Sequence, residues 1–254
     1  MPDYTHPLDE ARQFIYKSKT GRKPLNELLW FAMMLANFLF ILLFYRLFGK
    51  TGLYIWIPIA AIIANIQVLK LVDLFGVNAT LGNIVYASSF LVTDILSENY
   101  GKKSATRAVV VGFLSLIVSM CLFQAALWFQ PSPDDWANES LKNIFGLMPR
   151  IVLASLLAFG MSQSHDVWAY NFWKKKWPAD RFIWIRNNAS TMISQLIDSI
   201  VFTLVAFAGT LPLNVLLQIF LSTYILKWIV ALLDTPFIYL AVMMNRKGLI
   251  PEEI

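Results

Sequence analysis

Carboxylate, amide and lysine side chains lie inside apolar segments of this sequence, where each is a candidate for ligand binding. Asp94 and Glu98 are four residues apart and share one face if their segment is helical. Such a carboxylate pair can hold a cationic or donor-rich ligand, or a proton. Lys227 and Asp234 are seven residues apart and also share a face. The lysine requires a carboxylate partner, for which Asp94, Asp198 and Asp234 are the candidates.

A polar stripe marks the segment near residue 190. Its members recur at steps of three, four and three residues, the spacing of one helix face: Asn188, Thr191, Gln195 and Asp198. Amide and hydroxyl side chains also join helices in membranes, so they do not by themselves distinguish a ligand site from packing. Asp198 favours a ligand site, because a charge inside the bilayer costs about 2.5–3.5 kcal/mol on insertion scales.

Four further residues complete the polar inventory of the apolar segments: Asn65, Gln67, Gln163 and Asp166. Several candidates have a structural alternative. Asp166 can cap a helix or pair with the lysines near it, and Lys227 can belong to an inert buried ion pair. Glu98 can mark a helix end and pair with Lys102 or Arg107.

The inventory argues against catalysis and against a metal site. No Gly-x-Ser-x-Gly motif occurs in the sequence, and His6 and His165 are too few and too far apart to bind a metal together. The single Cys121 excludes an internal disulfide. We expect no cofactor and no enzymatic activity. The competing hypothesis in that class is an intramembrane enzyme that uses Asp94 and Glu98 as an acid pair.

The composition requires membrane-spanning helices to position these residues. The chain has 254 residues, of which 57% are hydrophobic and 15% charged, whereas soluble domains have about 45–50% and about 25%. Several uncharged stretches approach or exceed the roughly 20 residues that cross hydrocarbon: 28–45, 51–69, 74–93, 108–133, 151–165 and 199–226. The lipid bilayer is the expected partner. The net charge of +5 fits basic residues at a membrane boundary, so no nucleic acid partner is expected.

We predict an all-α integral membrane protein with one transmembrane domain over residues 28–245, between a polar tail at 1–27 and a short tail at 246–254. Its helices are placed near 28–47, 53–72, 80–98, 106–130, 145–168, 188–209 and 213–243. Short connections make neighbouring helices antiparallel. We expect a break at Pro236 in the last and longest helix.

Lysine and arginine are distributed unevenly between the two sides of this bundle. The connections after the first, third and fifth predicted helices, together with the C-terminal tail, hold twelve basic residues, and the opposite side holds eight. Because cytoplasmic loops carry the excess, the C-terminus is expected in the cytoplasm. Seven spans then place the N-terminus outside, although its own five basic residues argue against that side. The alternative is a first helix that does not cross the membrane fully.

Polar motifs occur in a fixed order between residues 52 and 245: Ala64–Lys70, Thr93–Gly101, Ser162–Val167, Arg186–Thr191 continuing to Gln195 and Asp198-Ser199, and Lys227 with Asp234-Thr235-Pro236. Together they resemble the bacterial queuosine precursor transporters, also called the vitamin uptake transporter family. The resemblance implies a bundle of six to seven transmembrane helices similar to the substrate-binding component of energy-coupling-factor transporters. The extra N-terminal helix of this chain departs from the six-helix pattern.

The resemblance also implies import of a 7-deazaguanine, such as preQ0, preQ1 or queuine, across the bacterial plasma (inner) membrane for queuosine salvage in tRNA. A deazaguanine presents N–H donors to a carboxylate, a carbonyl to an amide donor, and a flat ring to aromatic residues such as Tyr86, Phe90, Phe202 and Tyr224. The alternative is a membrane subunit that binds a vitamin or nucleobase and requires a separate ATP-driven module.

On this interpretation, Gln195 and Asp198 contact the donor edge of the substrate, Asp94 lies on the opposite wall, and Lys227 orients or neutralises Asp198. The full set of candidate substrate-binding residues is Asn65, Gln67, Asp94, Glu98, Gln163, Asp166, Asn188, Ser190, Thr191, Gln195, Asp198, Lys227 and Asp234. The sequence leaves open which precursor is preferred, which ion drives transport, and whether the chain forms a homo-oligomer.

Overall fold

The computed structural model describes residues 25–75, 77–146, 148–209 and 213–251. Residues 1–24 of the predicted N-terminal tail (1–27) and residues 252–254 of the predicted C-terminal tail (246–254) lie outside these described residues. Helices account for most of the chain between them: α1 (Leu25–Gln67), α2 (Asn83–Tyr100), α3 (Lys102–Ala126), α4 (Asn138–Phe145), α5 (Met148–Lys176), α6 (Ile183–Phe207) and α7 (Leu213–Arg246). A short 3-10 turn at Asp180–Phe182 precedes α6.

Among the described residues, four helical segments are long and apolar enough to cross a membrane. They are α1, α3, the segment Asp180–Phe207 that contains α6, and the segment Phe220–Arg246 of α7. A fifth is added if α4 and α5, which meet at a bend of 43°, form one span. The prediction of a helical, multi-pass membrane protein is therefore confirmed. The predicted number of spans is larger, and the difference lies in α1 and α2.

Helix α1 is too long for one crossing. Its 43 residues would extend about 65 Å if straight, roughly twice the hydrocarbon thickness of a bilayer. The backbone leaves the helical conformation at Gly49, where φ is 56° and ψ is −139°. Glycine is required there, because a side chain disfavours this region of backbone angles. The break divides α1 into a first limb, 25–48, and a second limb, 50–67.

The two limbs of α1 run antiparallel. Glu27 at the start of the first limb accepts a hydrogen bond of 3.1 Å from the backbone N–H of Phe75, which lies just beyond the end of the second limb. The rings of Phe31 and Phe75 also meet edge to face, with centroids 6.4 Å apart. The start of one limb and the end of the other are therefore at the same end of the bundle. The sequence predicted them as two separate helices.

A β-hairpin replaces the end of the predicted helix 53–72. The second limb of α1 stops at Gln67, and strands β1 (Leu71–Leu74) and β2 (Val77–Thr80) pair antiparallel, with Leu71 opposite Thr80. The prediction of a helix to residue 72 was wrong at this end, because a short apolar run does not by periodicity alone distinguish a strand from a buried helix.

Helix α7 continues through Pro236, where a break was expected. Proline is tolerated in membrane helices when neighbouring polar groups compensate for the lost backbone bond. The hydroxyl of Thr235 beside it accepts hydrogen bonds from Asn188 of α6, at 2.9 Å, and from Asn187, at 3.3 Å. These contacts hold α7 against α6 at the proline.

Helix α2 is the central element of the bundle. It contacts α1, α3, α5, α6 and α7, and 14 of its 18 residues are buried. Several of the buried positions are polar, and hydroxyls such as those of Ser88 and Thr93 donate to the backbone carbonyls of Val85 and Phe90. The surrounding helices shield these groups from lipid. A helix in this position does not need an apolar sequence, which explains why hydropathy alone does not identify α2 as a span.

We expect Gly49→Ala to destabilise the protein by about 1–3 kcal/mol, because alanine is strained at this backbone conformation. Thermal unfolding in detergent measures the effect. Gly160→Ala is the matched control, since a Cβ at this helical position would meet only Phe113 Cε2, at 3.6 Å. An equal loss of stability in both variants would contradict the special role of Gly49.

Candidate functional site

A pocket lies where α1, α2, α5, α6 and α7 meet, and we call it the cavity. Its wall combines charged, amide, hydroxyl and aromatic groups with small apolar residues: Ala64, Asn65, Val68, Gly82, Asn83, Tyr86, Ser155, Ala158, Asp198, Phe202 and Lys227. Small-molecule sites typically combine an apolar lining with a few polar groups in this way.

Asp198 and Lys227 form a buried ion pair at the cavity wall. Lys227 Nζ donates to Asp198 Oδ2, and the two residues are only 3% and 1% exposed. The other carboxylate oxygen, Oδ1, accepts from the hydroxyl of Tyr86 and, at 3.3 Å, from that of Ser162. Of the three carboxylates considered as partners for the lysine, the structure thus selects Asp198. The pair is neutral as a unit, which makes burial of both charges tolerable.

Unpaired polar atoms line or adjoin the cavity. Asn65 Nδ2 donates to the carbonyl of Ala61 at 2.9 Å, which leaves its Oδ1 without a partner among the described residues. Asn83 Nδ2 is likewise unpaired, as are both amide atoms of Gln195, one helical turn from Asp198. Buried polar groups without partners are costly. A ligand with both donors and acceptors would satisfy them.

Aromatic rings form the other part of the wall. Tyr86 and Phe202 both line the cavity. Edge contacts with Phe90 and Phe159 hold the Tyr86 ring in place. The centroid of each of these rings is 6.1 Å from that of Tyr86. Lys227 Nζ lies 4.7 Å from the centre of the Tyr86 ring. The site can therefore hold a flat ring beside a charge pair.

Gly82 closes the cavity at the hairpin end. A Cβ at this position would lie 2.4 Å from the carbonyl oxygen of Ala64. Only glycine permits the start of α2 to approach the end of α1 this closely. This approach brings Asn65 and Asn83 to the same cavity.

A second group of predicted residues lies one to two helical turns away from the cavity. Asp94, Asp166 and Asp234 are fully buried and near enough to interact electrostatically with one another. Thr191 Oγ1 donates to Asp94 Oδ2 at 3.4 Å, and Asn187 Nδ2 donates to Asp234 Oδ1 at 2.6 Å. We call these five residues the carboxyl layer.

A third group surrounds Glu98. Arg186 donates to Glu98 at 2.9 Å, Lys174 Nζ lies 3.6 Å from the same carboxylate, and the hydroxyl of Tyr170 donates to it at 3.1 Å. Arg186 also donates to the backbone carbonyls of residues 177–179. Glu98 thus pairs with Arg186 and Lys174 rather than with Lys102 or Arg107. We call this group the ion-pair layer.

The remaining predicted residues join helices to one another. Gln163 donates to Ser89 at 2.9 Å and accepts from Thr93 at 3.3 Å, which connects α5 to α2. Ser190 donates to backbone carbonyls of its own helix. Asn188, through Thr235, connects α6 to α7, and Gln67 ends the second limb of α1 outside the cavity wall. The assignment of these residues to a substrate stays a prediction.

The sequence reasoning overlooked several residues of the site. Asn83 and Ser155 line the cavity, and Ser162 supports Asp198. All three are uncharged, and none belongs to the polar stripe at 188–198 or to a charged pair, which are the patterns that indicate a site in the sequence. Arg186 and Asn187 stand in a motif that was identified, yet nothing in their spacing indicates a partner on another helix.

A helical bundle in a membrane, with a cavity and ionisable groups at its centre, has the construction of a membrane transport protein. Comparison with known proteins agrees. Residues 80–241 match the model of a family described as putative vitamin uptake transporters. The chain belongs to this family, whose members are transporters rather than enzymes, and the resemblance seen in the motifs is confirmed.

Two relatives show how far the similarity extends. A probable queuosine precursor transporter of Bacillus subtilis (strain 168) is 45% identical over 228 residues, which is 90% of this chain and 97% of that protein. A queuosine precursor transporter of Escherichia coli (strain K12) is 26% identical over 145 residues, 57% of this chain and 62% of that protein. No solved structure shows a significant match.

We expect Lys227→Met to destabilise the protein by about 3–5 kcal/mol, because it leaves the Asp198 carboxylate buried without a countercharge. The double variant Asp198→Asn/Lys227→Met should recover a large part of this loss, since neither charge then remains. Thermal unfolding of the purified variants in detergent measures both effects. Equal stability of the single variant and the wild type would mean that the pair contributes nothing to the fold.

Proposed function

We propose that the chain imports a queuosine precursor, a 7-deazaguanine base, across the bacterial plasma membrane. The proposal is carried by the similarity to the Bacillus subtilis protein, which is named a probable queuosine precursor transporter and matches almost from end to end. The cavity supports it, because its aromatic wall and buried charge pair suit a small polar heteroaromatic molecule.

Each polar group of a 7-deazaguanine has a possible hydrogen-bond partner in the cavity wall. Asp198 can accept from the ring N–H and exocyclic amine of a deazaguanine, while Lys227 holds the carboxylate charged and oriented in the empty state. The unpaired amides of Asn65 and Asn83 offer one acceptor and one donor to the remaining polar edge. Tyr86 and Phe202 offer the surfaces on which the ring stacks.

We propose seven membrane crossings: the two limbs of α1, then α2, α3, α5, α6 and α7. Helix α2 has 18 residues and extends about 27 Å, close to the roughly 30 Å of hydrocarbon. The similarity to the substrate-binding component of energy-coupling-factor transporters stays a prediction.

We further propose that the C-terminus lies in the cytoplasm. The ion-pair layer is at the same end as the basic turn Lys174–Lys176 of α5 and as Arg246, which pairs with Asp180. Excess positive charge is typical of the cytoplasmic side. The cavity, at the opposite end of α2, then lies nearer the outside, where an importer receives its substrate.

We expect Asp198→Asn to abolish uptake of the precursor, because the carboxylate is the main acceptor for its donor edge. The measurement is the queuosine content of tRNA in a bacterium that lacks both precursor synthesis and its own importer. The cells are fed limiting preQ0, preQ1 or queuine, with membrane levels of the protein checked. The matched control is Asp180→Asn, which removes an exposed carboxylate outside the cavity and should leave uptake unchanged.

Restoration of queuosine by the wild-type chain with one compound would also define the preferred substrate. If the wild type restores none of the three, although it reaches the membrane, the chain requires an energising partner or transports another compound. Normal uptake by the Asp198→Asn variant would remove Asp198 from the binding site.

The orientation predicts how single cysteines react with a membrane-impermeant maleimide. In a Cys121→Ser background, Ser132→Cys in the connection between α3 and α4 should be labelled in intact cells. Lys247→Cys after α7 should be labelled only once the cells are permeabilised. Both original side chains are exposed, so accessibility within the protein is matched. The reverse pattern would invert the proposed orientation.

A further inference from the structure

The carboxyl layer is a second buried polar site, which binding of the substrate in the cavity does not use. Asp94, Asp166 and Asp234 are each 0% exposed. Asp94 Oδ1, both Asp166 oxygens and Asp234 Oδ2 have no hydrogen-bond donor among the described residues. The hydroxyls of Ser190 and Ser194 near Asp166 donate to backbone carbonyls instead.

This layer has no basic partner within the described part of the chain. No lysine, arginine or histidine nitrogen lies within 4 Å of its three carboxyl groups. The nearby cations are already paired, Lys227 with Asp198 and Arg186 with Glu98. Three carboxylates buried together without a countercharge would be very costly. Something other than a side chain must therefore neutralise them.

The groups that face this layer come from α2, α5 and α6. Glu98 and Arg186 form the next layer beyond Asp94. Tyr170 of α5 lies on that same side, with its hydroxyl committed to Glu98. His165 of α5 bonds to Ser194 of α6, at 2.9 Å. Asn187, which is fully buried, reaches Asp234 with its amide nitrogen, while its amide oxygen has no partner among the described residues. The unpaired amide oxygen requires a bound donor.

A proton satisfies this arrangement. Ionised carboxylates can only accept hydrogen bonds, and Asp94, Asp166 and Asp234 are fully buried with oxygens that lack a donor among the described residues, so a proton on one of them supplies the missing donor. A protonated carboxyl also offers a donor to neighbouring unpaired oxygens. The described residues contain no cluster of three histidine, cysteine, aspartate or glutamate side chains arranged to hold a metal ion. The geometry favours a proton over a metal cation.

We propose that the carboxyl layer is a proton-binding site that couples import of the substrate to a proton gradient. The proton enters from the outside, is held by the Asp94–Asp166 pair beside Asp234, and is released to the cytoplasm when the ion-pair layer opens. This inference rests on the proposed import function and adds the driving ion to it.

Four of the five helices that build the cavity also build this site, which gives a structural route for coupling the two. Tyr86 and Asp94 lie on α2, Ser162 and Asp166 on α5, Asp198 and Thr191 on α6, and Lys227 and Asp234 on α7. The members of each pair are four to eight residues apart, or about 6–12 Å along a helix. Gln195 of α6, buried with both amide atoms unpaired, stands between the two sites. A shift of any of these helices alters both.

The first experiment measures uptake of a radiolabelled precursor into liposomes that contain the purified wild-type protein. An inward proton gradient of one pH unit should raise accumulation about tenfold for each coupled proton. A protonophore should abolish the rise, and sodium should not replace the gradient. The Asp94→Asn variant, if it elutes as a folded protein, should lose the response to the gradient, and the control Asp180→Asn should keep it.

The second experiment detects the proton directly and requires no substrate. The infrared spectrum of the wild type at neutral pH should contain the carbonyl stretch of a protonated carboxyl group. The band should persist in Asp180→Asn and be lost or altered in Asp94→Asn and in Asp166→Asn. Absence of a protonated carboxyl band in the wild type would overturn the proposal.

The two experiments separate failure of this inference from failure of the proposed function. Uptake that occurs but ignores the proton gradient, or that requires sodium, overturns the coupling and leaves the import function intact. If the wild type takes up no precursor under any condition, the import function fails. The infrared band then decides whether the carboxyl layer binds a proton.

Discussion

A charged side chain inside a bilayer is tolerated only when another group neutralises it, and this constraint organises the centre of the molecule. Asp198 is buried because Lys227 and Tyr86 contact it, and Glu98 because Arg186 and Lys174 do. Each pair brings together helices that are distant in sequence. The ion pairs thereby determine which faces of α2, α5, α6 and α7 point inward.

Helix α2 makes this arrangement possible. Because other helices surround it, it can carry polar residues along its whole length without exposing them to lipid. From one end to the other it supplies Tyr86 to the cavity, Asp94 to the carboxyl layer and Glu98 to the ion-pair layer. These three layers differ in charge balance. The outer two contain ion pairs, whereas the middle one has no side-chain cation among the described residues, and this difference separates the cavity from the proposed proton site.

Much of this arrangement was predictable from periodicity. Lys227 and Asp234 are seven residues apart, and the polar stripe that ends at Asp198 repeats every three or four residues. Helix geometry places residues at such spacings on one face, and in the structure these faces point inward. Their partners were not predictable, since spacing along one helix carries no information about the residue opposite. Glu98 was paired with neighbours in sequence, Lys102 or Arg107, but tertiary packing supplies Arg186, 88 residues away. The hairpin at 71–80 was overlooked because its apolar run resembles a helix end.

The amino-acid sequence by itself determined that the chain is a helical membrane protein, where most of its helices lie, and to which family it belongs, because uncharged length, helical period and ordered motifs are local properties of the chain. Only the tertiary structure decided that the predicted polar residues divide into three layers. Asp198 and Lys227 line a cavity, while Asp94, Asp166 and Asp234 form a separate cluster. This division depends on the relative heights of antiparallel helices, and those heights are set by packing between residues that are far apart in the chain.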